Sequence, residues 1–182
     1  MNTKLISKVA IFILLCVSIS NNFGQGEPNL STGFGIYELA NVGFRYQINQ
    51  TQIGISLGNL PWSDDKVWSL LGDVFFHFGY LSKLSNRKPW YIRLGLTYLY
   101  SKSLNNDGFY RIDDYLYLNI RFGREFNISR KVGVYLDLGV NSQIKHKSSN
   151  NYPPPTEPVC CQGGPYEFPF LPAIGLGLFY KL

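Results

Sequence analysis

"KVGVYLDLGV", Lys131–Val140, reads as two interleaved sets of side chains. Val132, Val134, Leu136, Leu138 and Val140 form one set; Gly133, Tyr135, Asp137 and Gly139 form the other. Successive side chains of a β-strand point to opposite sides of the pleat, so strict alternation marks a strand with one apolar face and one polar or small face. The question that decides the fold is which face meets water. In a soluble sheet the apolar set packs against a core, whereas in a membrane barrel it faces lipid and the polar set fills the interior.

The same two-residue period recurs along the chain. Phe34 and Ile36 alternate with Gly33, Gly35 and Tyr37; Val42, Phe44, Tyr46 and Ile48 alternate with Gly43, Arg45 and Gln47. Ile53, Ile55 and Leu57 oppose Gln52, Gly54, Ser56 and Gly58, and Val74, Phe76, Phe78 and Tyr80 oppose Asp73, Phe75, His77 and Gly79. Trp90, Ile92, Leu94, Leu96 and Tyr98 oppose Tyr91, Arg93, Gly95 and Thr97; Leu116, Leu118, Ile120 and Phe122 oppose Tyr117, Asn119, Arg121 and Gly123. With Lys131–Val140 and the C-terminal "LPAIGLGLFYKL", eight strands are expected. After residue 20 no window carries a helical period, and no apolar run reaches about 18 residues.

Connections alternate in length. Asn49-Gln50, "KLSNRK" (83–88) and "NISRK" (127–131) are short; "PWSDDK" (61–66), "SLNNDGFYRID" (103–113) and the Pro-rich stretch 147–168 are longer, with "ELAN" (38–41) the brief exception on that side. Short turns at one end and long loops at the other are what an outer-membrane barrel has, the long loops being extracellular. Counting strands puts both chain ends on the short-turn, periplasmic side. A two-residue turn at Asn49-Gln50 pairs Ile48 with Thr51 and Arg45 with Gly54, which requires the polar set to switch from odd to even positions, and it does. Pro172, early in the last strand, is the one awkward residue.

Three features favour lipid over a protein core. The polar sets mix glycine, charges and large aromatics, as in Tyr91-Arg93-Gly95 and Tyr135-Asp137-Gly139, which suits the narrow lumen of an eight-stranded barrel. Trp90, Tyr80, Tyr98 and Tyr100 lie near the ends of apolar sets, where interfacial girdles form. Third, the terminus "GLGLFYKL" resembles the C-terminal strand signal of bacterial outer-membrane barrels through Gly177, Tyr180 and Leu182, although Leu182 replaces the usual terminal aromatic. The chain thus resembles small eight-stranded outer-membrane barrels, all-β, antiparallel, up-and-down and transmembrane. That resemblance implies an outer-membrane location, contact with outer-membrane lipid and lipopolysaccharide, handling by the barrel-assembly machinery through the C-terminal strand, and a monomer. A secreted β-sandwich or soluble ligand-binding barrel is the competing architecture.

"MNTKLISKVAIFILLCVSIS" has a basic start at Lys4 and Lys8, an apolar run, and a small-x-small ending at Ser18-Ile19-Ser20, the pattern of a secretory signal peptide over residues 1–20 with cleavage as late as about 25. Residues 21–182 then form the barrel. Cys16 follows Leu15, where a lipoprotein signal needs a small residue. The chain carries 17 basic and 12 acidic residues; loss of Lys4 and Lys8 lowers the net charge from +5 to +3, far from the dense basic stripe of a nucleic-acid binder. Cys160 and Cys161 are adjacent and make neither a disulfide framework nor a zinc site, so no metal or cofactor is expected.

If lipid takes the apolar sets, Arg45, Asp73, His77, Arg93, Arg121, Asp137 and Lys181 project inward and must pair. A turn centred near Ser129 would set Arg121 opposite Asp137, and one near Ser85 would set His77 opposite Arg93, with Asp73 on the same face. A sealed structural network is expected rather than an ion path. "KHKSSN" (145–150), placed after the seventh strand, resembles the His-x-Ser-Asn motif of outer-membrane lipid A deacylases, interrupted by Ser149 before Asn150. That resemblance implies an alternative hydrolase with His146 as base, Ser148 as nucleophile, and Glu157 or Glu167 orienting the imidazole. The leading expectation is instead a non-enzymatic barrel with a structural or surface-recognition role, its loop 147–168 stiffened by Pro153, Pro154 and Pro155 and open to an extracellular partner.

Overall fold

A computed structural model of the chain describes residues 26–61, 63, 65–81, 84–104, 109–151 and 170–182. The signal-peptide stretch, Cys160, Cys161, Glu157, Glu167 and most of the Pro-rich loop lie outside the described residues. Eight strands run in chain order: β1 Gly26–Gly35, β2 Leu39–Ile48, β3 Thr51–Asn59, β4 Lys66–Phe78, β5 Trp90–Leu104, β6 Tyr110–Asn127, β7 Val132–Asn150 and β8 Phe170–Lys181. Each pairs antiparallel with the next, and β8 pairs back onto β1, closing an up-and-down barrel.

The opening stretch shows the sidedness directly. Leu136 and Leu138 are exposed on the outside, Leu138 by 54 %, while Asp137 between them is 1 % exposed inside. Every other strand follows: Val42, Ile53, Ile55, Leu57, Leu94, Leu96, Leu118, Ile120, Leu176 and Leu178 are all exposed, and Arg45, Gln52, Asp73, Arg93, Asn119 and Arg121 are buried. This is a polar interior within an apolar shell, the inverse of a soluble fold. A stacked-sheet sandwich is excluded.

The β2–β3 register is the expected one, Ile48 opposite Thr51 and Arg45 opposite Gly54, with Asn49 in the left-handed conformation (φ 53°) that a tight hairpin turn needs. The other short turns sit one residue away from their expected centres. Arg121 faces Gly139 and Asp137 faces Gly123, while His77 faces Tyr91 and Arg93 faces Phe75. The "ELAN" turn is also displaced: the chain reverses at Ile36–Glu38, and Leu39, Ala40 and Asn41 already belong to β2. Pro172 is tolerated because β1 stops at Gly35 opposite Gly175, so β8 has only β7 beside it at that height.

Strand lengths are unequal. β1, β2 and β3 span 10, 10 and 9 residues, whereas β5, β6 and β7 span 15, 18 and 19. The long strands continue past the rim of the short ones as a three-stranded ribbon at the end opposite the short turns. Both β1 and β8 have their chain-end residues at the short-turn end, Asn29 pairing with Lys181. On the outer surface Trp90 stacks on Phe122 near the short-turn end, and Trp68 packs on Tyr98 and Tyr100 near the other. From Trp90 to Tyr98 and Tyr100 the barrel rises about 20–25 Å, taking about 3.3 Å per residue and a tilt of about 40°, close to the apolar height of an outer-membrane barrel.

Leu138→Arg, at mid-height on the outer face, is expected to lower stability in phospholipid vesicles by about 2–4 kcal/mol, and Ser149→Arg, on the ribbon above the aromatic belt, by about 0–1 kcal/mol. Urea unfolding of vesicle-inserted protein measures both.

Candidate functional site: the filled lumen and the ribbon above it

Five charged side chains meet at the centre of the lumen. β5 contributes Arg93, β6 Arg121, β4 Asp73, β7 Asp137, and the β1–β2 turn Glu38. Arg93 Nη2 lies 2.8 Å from Asp73 Oδ2 and 2.7 Å from Glu38 Oε1, and Arg93 Nη1 lies 3.3 Å from Asp137 Oδ2. Arg121 Nη1 lies 3.0 Å from Glu38 Oε1 and 3.2 Å from Asp137 Oδ1. Tyr91 donates its hydroxyl to Asp137 Oδ2 at 3.0 Å. Arg121 reaches Asp137 diagonally, which is why the expected pair survives a register that differs by two residues.

The five charges are buried, and each arginine touches at least two carboxylates. Desolvation is repaid only when such groups are closely paired, so the cluster is stable as a unit and costly to break singly. Glu38 is carried by a turn whose flanking residues, Tyr37 and Leu39, both have positive φ (67° and 62°). Left-handed backbone at non-glycine residues costs about 1–2 kcal/mol each, and the contacts of Glu38 with two guanidinium groups offset it.

A second polar layer closes the short-turn end. Arg87, from the β4–β5 connection, folds into the lumen to bond Glu125 Oε2 through Nε at 2.6 Å and Gln47 Oε1 through Nη1 at 2.8 Å, with its guanidinium 4.8 Å from the Phe179 ring centre. Arg45 lies between the Phe75 and Tyr135 rings, 4.6 and 4.4 Å from their centres. His77 Nδ1 contacts the Lys88 carbonyl at 3.0 Å, and Lys181 donates to Ser85 Oγ at 2.6 Å. The expected approach of His77 to Arg93 is therefore absent: the turn is centred on Leu84, not Ser85, and His77 lands among Phe75, Tyr91 and the connection.

Glycines make room for these groups. A Cβ on Gly95 would collide with Asp73 Oδ1, on Gly123 with Tyr91 Cζ, and on Gly177 with Tyr135 Cζ. Small residues on one strand are thus the sockets for large ones on the next. Gly177 has this role inside, while its partners in the C-terminal strand signal, Tyr180 and Leu182, are exposed outside.

On the ribbon, His146 and Ser148 lie within β7, opposite Tyr115 and Asp113, rather than in a loop after the seventh strand. His146 stacks on Tyr115 with ring centres 4.4 Å apart, and its Nε2 is 3.0 Å from Asp113 Oδ1. Ser148 bonds to the same Asp113 carboxylate, as does Arg111. Ser148 and His146 are thus both bonded to the Asp113 carboxylate. Residues 147–150 of the expected loop are strand. The described residues hold no cluster of three or more His, Cys, Asp or Glu side chains arranged to bind a metal.

No family model matches the chain, and no curated protein matches it in sequence. Solved structures do. The crystal structure of the N-terminal β-barrel domain of Pseudomonas aeruginosa OprF superposes with a TM-score of 0.57 at 14 % identity, covering 86 % of this chain and 96 % of that one. This chain has the fold of a small outer-membrane barrel. Neisserial surface protein A covers the same 86 % of the chain and 96 % of its own at 13 % identity (TM-score 0.47), and Acinetobacter baumannii CarO2 covers 86 % and 98 % at 12 % identity (TM-score 0.43).

Glu38, Arg87 and Glu125 were not among the expected interior residues. Glu125 continues the inward series of Arg121 and Gly123 and was open to detection by period; Glu38 and Arg87 enter from turns, where period carries no information.

Arg93→Met takes away the Asp73 ion pair and leaves Glu38 and Asp137 to Arg121, and is expected to destabilise the barrel by about 3–5 kcal/mol, read as a lower urea midpoint for loss of the fast-migrating form on unheated gels. Gly95→Val displaces Asp73 from Arg93 and is expected to cost about 1–3 kcal/mol in the same assay.

Proposed function

We propose that the protein is a monomeric integral outer-membrane barrel, non-conducting and non-catalytic, whose role is structural or one of surface recognition through the β5–β7 ribbon and the connections it carries. The observation that supports this most is the pairing of an apolar exterior with a lumen closed by two layers of bonded charge. Eight strands leave an interior that side chains fill, and here Arg93, Arg121, Glu38, Asp73 and Asp137 fill it. On this reading residues 1–20 direct export, the chain ends and short turns face the periplasm, and the ribbon and the 147–168 segment face outward.

The ribbon suits recognition because it continues the hydrogen-bonded sheet past the barrel rim. Its inner face carries Tyr115, Tyr117, His146, Asp113 and Arg111, with Tyr37 of the β1–β2 turn packed on Tyr117 at 4.8 Å. Aromatic and charged groups held on a fixed scaffold are well suited to binding a partner. Catalysis by His146 and Ser148 has no support in the bonding of Ser148 to Asp113.

Membrane fractionation with heat-dependent gel mobility tests the location: the protein is expected in the outer-membrane fraction, migrating faster unheated than boiled, and recovery in periplasm or medium overturns the proposal. Reconstituted into planar bilayers, it is expected to give no steps of conductance. Lipid A from cells carrying His146→Ala is expected to give the same acyl-chain mass spectrum as wild type.

A further inference from the structure

The ladder between β6 and β7 contains one irregularity. Tyr117 faces Gln143 and Leu116 faces Lys145, so Ile144 is an extra residue without a partner. A bulge of one residue exchanges the faces of everything beyond it. Below it the odd-numbered Asp137, Gly139 and Asn141 point into the lumen; above it the even-numbered His146 and Ser148 do, opposite Tyr115 and Asp113. Lys145 and Lys147 are thereby turned to the outer surface, where uninterrupted alternation would have left them over the lumen.

Three successive outward rows cross β4 to β7 at this height. They read Leu70, Tyr98, Leu116, Lys145; then Trp68, Tyr100, Asp114, Lys147; then Lys66, Lys102, Ile112, Ser149. Along β4 and β5, Leu70 and Tyr98 give way to Trp68 and Tyr100 and then to Lys66 and Lys102 within about 14 Å, the order of acyl chain, interface and charged headgroup at a membrane surface, while on β7 Lys145 and Lys147 stand beside the first two of these rows. The rows hold four lysines against one carboxylate. That carboxylate is engaged, because Tyr98 donates its hydroxyl to Asp114 Oδ1 at 2.5 Å. Lys145 and Lys147 flank a notch of about 300 Å³ whose other walls include Tyr98, Asp114 and Leu116. Lys102 lies over the Tyr110 ring, as the outward cations of the opposite rim lie against rings, Arg124 over Trp90 and Phe126 and Lys131 over Tyr180; Lys145 and Lys147 stand exposed beside the notch.

We propose that the notch between Lys145 and Lys147 binds the phosphorylated sugar headgroup of an outer-leaflet glycolipid. The two ammonium groups pair with phosphate, the Trp68, Tyr98 and Tyr100 rings lie against the sugar, and the acyl chains descend over Leu116 and Leu118. His146 takes no part, being turned inward on Tyr115. The site rests on the outer-membrane reading above, with the ribbon on the outer side.

The test uses full-length protein folded in detergent, its fold confirmed by heat-dependent mobility. It is titrated with bis-phosphorylated lipid A, the same lipid A with its phosphates removed, and phosphatidylglycerol, and bound lipid is counted by native mass spectrometry. One bis-phosphorylated lipid A is expected to bind, with affinity falling about thirtyfold in Lys145→Ala/Lys147→Ala and unchanged in Arg130→Ala/Lys131→Ala, which removes as much charge from the other rim. Equal binding of the dephosphorylated lipid or of phosphatidylglycerol, or equal losses in the two double variants, overturns the site while leaving the barrel reading intact. A wild-type protein that is soluble without detergent and shows no mobility shift overturns both.

Discussion

Hydrocarbon offers no hydrogen bonds, so a sheet that crosses it must satisfy all its own backbone groups, and for strands that means closing on itself. The pairing of β8 with β1 meets this constraint, and the remaining architecture follows from it. Closure at eight strands fixes a narrow lumen. A narrow lumen admits side chains only where large ones meet small ones, hence Tyr91 over Gly123, Tyr135 over Gly177 and Asp73 over Gly95. Because the outer face between the two aromatic belts must be apolar, the charges of Arg45, Asp73, Arg93, Arg121 and Asp137 are directed inside, and there they must pair or lie against rings. Arg93 and Arg121 are therefore both the filling of the lumen and the bond between β4, β5, β6, β7 and the β1–β2 turn.

The same constraint separates two regions. Within the membrane, period, size and charge are all dictated by lipid outside and close packing inside. At the outer aromatic belt that dictate weakens, and from there on β5, β6 and β7 depart from the plain barrel: they accommodate the bulge at Ile144, carry charge on both faces, and lengthen. The departures gather on one side of one end, which is where surface-specific features are compatible with a stable membrane body.

How much of this was legible in the sequence depended on whether a residue's position was set by period or by a turn. Strand number, sidedness and the β2–β3 register follow from a period of two and from a two-residue turn with an asparagine suited to left-handed backbone. The start of β4 was less visible because Leu71 faces in and Gly72 faces out, reversing the usual pattern for two residues. Longer turns have several near-equivalent conformations, so their centres shifted by one residue and every pairing by two; Arg121 still found Asp137 because a long guanidinium side chain reaches a diagonal neighbour, whereas the His77 ring does not reach Arg93. Glu38 and Arg87 enter from turns and are fixed by tertiary pairing alone. The bulge leaves no local mark, since "QIKHK" alternates equally well in either frame, and the strict alternation that marks β7 ends at Val140, short of His146 and Ser148.

The central claim is that lipid acyl chains surround the leucines and valines of these strands. Nuclear Overhauser effects between deuterium-diluted lipid or detergent and methyl-labelled protein measure this directly. The account predicts cross-peaks from acyl methylenes to the methyls of Leu136, Leu138, Val140, Leu118 and Leu176, and none to the inward-facing Leu71. Cross-peaks from water to those outer methyls, or between methyls of strands on opposite sides of the barrel, would contradict it.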